Sequence, residues 1–231
     1  MVEVLPGSYC GVAPGPGEAW AAWNLDPLVI GGLLALLWAV RHRPTGPAAV
    51  GVLAVAFVSP LCAISVALFS ARVVHHVLLV AVAAPLLAAA WPGRARGAAV
   101  PFLISTALLW GWHLPAAYDL ALSDMAVYWL MQATLLGSAT WFWRAVLGAR
   151  GGVDAVLWSL AGLMQMGALG ALLTLAPGPL YAAHGLAPLA WGLTPLADQQ
   201  LGGLIMWVPA MLPYALMIAL CARNSWRRSV A

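Results

Sequence analysis

The feature that most constrains this chain is a succession of apolar runs, each about twenty residues long and almost free of charge. A helix rising about 1.5 Å per residue needs about twenty such residues to cross roughly 30 Å of hydrocarbon. Seven runs of that kind can be counted, at residues 23–40, 48–69, 73–91, 98–117, 126–147, 153–175 and 201–222. Backbone N–H and C=O groups facing lipid must be satisfied within their own segment, so the runs predict helices. The chain is 64% hydrophobic and 7% charged, against about 25% charged in an ordinary soluble domain, and a water-soluble fold is excluded. The expected fold class is an all-α integral membrane protein with seven transmembrane helices, its N-terminus outside and its C-terminus cytoplasmic.

The charges test the span count independently of hydropathy. If the loops alternate sides, Arg41, Arg43, Arg94, Arg96, Arg144, Arg150, Arg223, Arg227 and Arg228 fall on one side, which the positive-inside rule names cytoplasmic. Glu3, Glu18, Asp26, Asp119, Asp124 and Asp198 fall on the other, with Arg72 and Asp154 as the exceptions. The basic residues are divided among short loops, so the net charge of +3 speaks for orientation in a bilayer and against nucleic acid as a partner. The expected organisation is an extracytoplasmic tail at 1–22, one membrane domain at 23–222 and a basic cytoplasmic tail at 223–231. The first twenty residues lack a basic n-region and an apolar core, so they do not read as a cleavable signal peptide. Pro60, Pro85, Pro115, Pro209 and Pro213 are expected to mark kinks within spans, and residues 176–200 to form a long outer connection.

Ionisable groups inside spans are costly and usually mark function, and here they gather at the outer end. Arg72, His75 and His76 follow i, i+3, i+4 at the start of the third span and share one helix face. His113 lies near the outer end of the fourth, and Asp124, Tyr128 and Gln132 form a stripe down the fifth. Asp198, Gly202 and Met206 repeat at the same spacing in the seventh, and Gln165 adds a polar group at mid-depth. Imidazole, thioether, thiolate and carboxylate together suit copper, the sulfur ligands favouring the cuprous ion. The metal-ligand candidates are therefore His75, His76, His113, Asp198, Met206 and Cys62. Structural roles compete with each of them. The histidines can bond between helices or, at His113, to a carbonyl freed beside Pro115; Met206 and Cys62 can simply pack; Arg72 can snorkel to outer phosphates. Cys10, Cys62 and Cys221 make no disulfide framework and no CxxC pair. Without a lysine, the chain cannot form a retinal Schiff base.

Taken together, the motifs resemble the CtaG family of cytochrome c oxidase assembly proteins, seven-span proteins tied to caa-type oxidases. The resemblance runs from Tyr9-Cys10-Gly11 and Trp23-Asn24-Leu25-Asp26-Pro27 through the third-span stretch FSARVVHHVLLVAVAAPLLAAAWP. It continues through Trp112-His113-Leu114-Pro115 with Tyr118-Asp119 and through Phe142-Trp143. Its most specific part is Asp198-Gln199-Gln200-Leu201-Gly202-Gly203-Leu204-Ile205-Met206-Trp207. On matching the third span, Arg72 stands where the family's first histidine is usual, His75 where glutamine is common and His76 at the second histidine. Met131-Gln132 stands near the family's frequent Glu-His.

The resemblance implies a non-enzymatic assembly factor in the bacterial inner membrane. It would deliver copper to, or mature a copper centre of, cytochrome c oxidase from the periplasmic face, with oxidase subunits as partners. Three rivals remain: a copper transporter, whose inner half would need more ligands than His42 and Cys221; a haem-binding membrane protein using His76 and His113; and a metal-free structural subunit of an oxidase complex.

Overall fold

A computed structural model describes residues 9–93, 97–148 and 153–229. Glu3, Arg94, Arg96 and Arg150 lie outside the described residues, as do the side chains of Arg227 and Arg228. The described residues are helical, with no strand among them. The elements are α1 (Pro27–Val40), α2 (Gly46–Phe57), α3 (Leu61–Ala67), α4 (Phe69–Val77), α5 (Ala84–Ala90), α6 (Ala99–Trp112), α7 (Pro115–Ser123), α8 (Met125–Gly148), α9 (Val153–Thr174), α10 (Pro195–Trp207) and α11 (Leu212–Ser229).

Three helical stretches are long and apolar enough to cross a membrane: Phe69–Ala90, Val153–Thr174 and Pro195–Arg223. Two bent pairs, α2 with α3 at 43° and α6 with α7 at 74°, raise the number to five if each pair is one span. The helix α1 is apolar but has only 14 residues, about 21 Å at the helical rise. Exposed Leu28, Leu34, Trp38, Leu103, Leu157, Met164, Leu172 and Leu216 clothe the outside of the bundle in apolar surface, as a membrane protein requires.

The prolines sit at the bends. Pro60 stands at the break between α2 and α3, and Pro115 opens α7 after the sharp turn at His113 and Leu114. Pro85 has no N–H to give to the carbonyl one turn back, and the segment just before it, Leu78–Ala83, widens into a π-helix that joins α4 to α5. Trp143 donates its indole N–H to the Val80 carbonyl in that segment at 2.9 Å. Pro209 stands at the short 3₁₀ turn between α10 and α11.

Residues 195–200, expected within a long connection, are helical. Thr194 caps α10 by accepting from the Ala197 N–H, and Pro195 occupies the first turn, so Asp198, Gln199 and Gln200 are helical. This register puts Asp198, Gly202 and Met206 on one buried face of α10. Two glycine contacts set how closely that helix packs. A methyl group on Gly202 would lie 2.6 Å from the Phe69 ring on α4, and one on Gly170 of α9 would lie 2.8 Å from the Gly203 carbonyl. With no side chain at these positions, α10 lies directly against both neighbours.

Candidate functional site

The site is assembled around the first turns of α4. Leu68, in extended conformation (φ −123°, ψ 130°), separates α3 from α4 and leaves the N-terminal N–H groups of α4 without intrahelical acceptors. Asp198 supplies them from α10. Its carboxylate accepts from the Phe69 N–H at 2.6 Å, the Ser70 N–H at 3.1 Å and the Ser70 hydroxyl. A buried carboxylate at a helix N-terminus is favoured by both the free N–H groups and the helix dipole. Asp198 is therefore committed to α4. In the structure it acts as a capping residue, with both oxygens accepting hydrogen bonds.

Below this cap, α4 presents Arg72, His75 and His76, all at 0–1% exposure. The guanidinium of Arg72 lies over the ring of Tyr128 at 5.3 Å. Neither its Nε nor its two Nη atoms has an acceptor among the described residues, and both ring nitrogens of His75 and of His76 are also without partners. Arg72 does not snorkel to the surface. His75 meets the edge of Phe57 at 5.0 Å, and ring centroids lie 5.8 Å apart for His75 and His76 and 5.9 Å apart for His76 and His113. Three imidazoles from α4 and from the end of α6 thus form a continuous buried row.

His113 sits in the turn that ends α6. Its Nδ1 lies 2.7 Å from the Leu109 carbonyl, which can only accept, so Nδ1 carries the proton and Nε2 keeps a bare lone pair. That Nε2 is buried and unpartnered. A ring nitrogen fixed on a carbonyl, with the other left as an acceptor, is how proteins orient imidazole ligands. The Tyr181 hydroxyl donates to the His113 carbonyl at 2.9 Å and braces the turn.

Two segments cover this row. Residues 181–184 are held by Asp119, which accepts from the Ala182 and Ala183 N–H groups at 3.3 and 3.0 Å. They bring His184 between the Tyr118 hydroxyl (2.6 Å) and the Val66 carbonyl (3.0 Å). The carbonyl fixes the proton on Nδ1, so Nε2 accepts from Tyr118. Burial, with Arg72 nearby, pushes the His184 imidazolium down to a pKa of about 3. The second segment is the N-terminal tail. Tyr9 stacks on Tyr128 at 5.3 Å and donates to Asp26 at 2.7 Å; that bond holds the Asp26 carboxyl below its usual range. Asn24 donates to the Phe57 carbonyl at 3.0 Å.

The tail carries the clearest correction. Cys10 is disulfide-bonded to Cys62, with 5.3 Å between their Cα atoms. A sulfur bonded to sulfur has no thiolate to offer, so Cys62 is not a ligand while the bond is intact, and Cys221 is the free cysteine. Two cysteines 52 residues apart, one in the tail and one in an apolar run, carry no spacing signal that would pair them. Met206 is 1% exposed in the hydrophobic core. No cluster of three or more His, Cys, Asp or Glu side chains placed to hold a metal occurs among the described residues. Deeper in the bundle, Gln165 accepts from the Trp110 indole at 3.1 Å and borders a small cavity with Ser105, Ser138, Met166 and Tyr214.

Neither the curated proteins nor the solved structures give a match to this chain. A family model does match, over residues 95–229, which take in α6 to α11. That stretch contains His113, Tyr118, Tyr128, Gln132 and the Asp198–Met206 face, and it spans more than half of the sequence. By this match the chain belongs to the Caa3_CtaG family of cytochrome c oxidase caa3 assembly factors.

Proposed function

We propose that this protein assists assembly of cytochrome c oxidase by handling a cuprous ion at the imidazole row of His75, His76 and His113. On this reading it is a seven-span protein of the bacterial inner membrane, with the row beneath the periplasmic surface. The observation that carries the reading is that row itself: three buried imidazoles in sequence, with five of six ring nitrogens unpartnered. Ring centroids near 6 Å suit two imidazoles that share one ion through bonds of about 2 Å each. The chemistry favours the singly charged form. Arg72 shares a helix face with His75 and His76, and its fixed charge opposes a second positive charge far more strongly for a divalent ion than for a monovalent one.

The orientation draws support from what meets at each end. Asp26, Asp119 and Asp198 make their contacts beside the tail, the 181–184 turn and the start of α4. The Arg144 side chain lies against Gly93, and the Thr45 hydroxyl bonds the Leu86 carbonyl, at the opposite end of the α4–α5 rod. The protein would transfer an ion to an oxidase subunit and break no bond of a substrate. The test is a deletion strain complemented with wild type or with the double variant His76→Ala/His113→Ala, followed by copper and haem analysis of the purified oxidase. The reading expects normal haem and depleted copper with the variant. Copper equal to wild type at equal expression would refute it.

A further inference from the structure

The copper reading leaves the buried charge of Arg72 without a counter-ion. A guanidinium in a membrane span is costly, and buried cations are as a rule paired. Arg72 is 0% exposed, and none of its nitrogens meets an acceptor among the described residues. Four aspartates at this end of the bundle are engaged elsewhere. Asp198 serves the N-terminus of α4, Asp26 bonds Tyr9 and Leu28, Asp119 holds the 182–183 backbone, and Asp124 caps α8 through Val127.

A second unpartnered donor lies on the facing helix. Gln132 is 2% exposed, and neither atom of its amide has a partner. It follows Tyr128 by one turn on the same face of α8, and Tyr128 is the ring beneath the guanidinium. The Tyr128 hydroxyl, 3.4 Å from the Cys10 sulfur, lies against the tail disulfide. Arg72 and Gln132 therefore both lie beside Tyr128, inside the bundle and beneath the tail.

We propose that Arg72, with the side-chain amide of Gln132, binds a small monovalent anion of halide size. The burial decides the class. A carboxylate on another protein or a lipid phosphate cannot reach a fully buried guanidinium without displacing the tail, whereas a halide needs only the space of a single atom. The donors are those an anion requires: a delocalised cation with several N–H groups and a neutral amide N–H.

The test uses the full-length protein in nanodiscs with a copper chelator present throughout, so that it reads the anion separately from the metal. The thermal midpoint is measured in potassium gluconate while chloride replaces gluconate at constant ionic strength. Wild type should show a saturable rise of several degrees, the signature of a ligand that binds the native state alone. Arg72→Met should lose that rise, and His113→Ala should keep it. If Arg72→Met does not fold, Gln132→Leu should weaken the chloride response at least several-fold, and chlorine NMR of wild type should show a broadened line that bromide sharpens by displacement. A wild-type midpoint indifferent to chloride, an Arg72→Met response equal to wild type, or an unbroadened line would overturn the proposal. Those failures would leave the copper reading untouched.

Discussion

Asp198 closes the N-terminus of a helix that begins 129 residues before it, accepting from the Phe69 N–H at 2.6 Å. This one carboxylate fixes α4 against α10 and so sets the depth at which Arg72, His75 and His76 enter the bundle. Replacing it with alanine leaves the buried Phe69 and Ser70 N–H groups without acceptors, at a cost of about 1–3 kcal/mol for each unsatisfied group. Asp198→Ala should therefore lower the thermal midpoint in detergent markedly, and Asp198→Asn, which keeps one acceptor oxygen, should lower it less. Thermal unfolding followed by intrinsic fluorescence checks both.

The Cys10–Cys62 disulfide closes a loop with a sequence separation of 52, and chain-entropy reasoning gives such a loop about 4 kcal/mol. Cys10→Ser and Cys62→Ser should each destabilise the protein, and the double variant should be little worse than either. Peptide mapping under non-reducing conditions should recover the two peptides linked, with Cys221 alkylated. If Cys62 were instead a ligand, Cys62→Ser would reduce copper stoichiometry where Cys10→Ser would not.

His184 gives a pH dependence with a definite sign. Its folded pKa, about 3, lies below the unfolded value near 6.5, so the unfolded chain takes up a proton that the folded chain refuses. Above pH 6.5 the residue contributes no slope. As pH falls from 6.5 towards 3, folded stability declines by up to about 1.4 kcal/mol per pH unit from this residue. Between pH 6.5 and 5, the midpoint of His184→Gln should fall less steeply than that of wild type by about one proton of linkage. Equal slopes would contradict the buried, neutral placement between Tyr118 and Val66.

The crossing of α9 and α10 depends on Gly170 and Gly203. A methyl group on Gly203 would meet the Thr174 backbone N at 2.6 Å and the Gly170 carbonyl at 2.7 Å, so the helices must separate to admit it. Gly203→Ala should destabilise by about 1–3 kcal/mol, and Gly203→Leu should abolish folding. Gly137, with open space around its Cβ direction, should accept alanine without loss. Expression and monodispersity in detergent report on all three.

Hydropathy and charge made the helical membrane class legible, because apolar runs of span length have no other economical structure. Helical spacing alone placed Arg72, His75 and His76 on one face and Asp198, Gly202 and Met206 on another, and both groupings stand in the structure. The Cys10–Cys62 bond was not legible, since two cysteines 52 apart pair only once the tail folds back over α3. Nor was the capping role of Asp198, whose N–H partners belong to another helix. The turn at Pro115 was signalled as a kink, but not its 74° angle or the contacts of Tyr181 and Asp119 that tie the 181–184 segment to it. Local rules reach the helices and their faces; contacts between distant segments decide what each polar group touches.

The most direct measurement is a cuprous titration of the purified protein against a competing chromophoric chelator, comparing wild type with His76→Ala/His113→Ala. The account predicts one tightly held ion for wild type and none for the double variant, with the thermal midpoint of the apo proteins little changed. Equal stoichiometry and affinity in the two proteins would contradict it and remove the imidazole row from any part in handling copper.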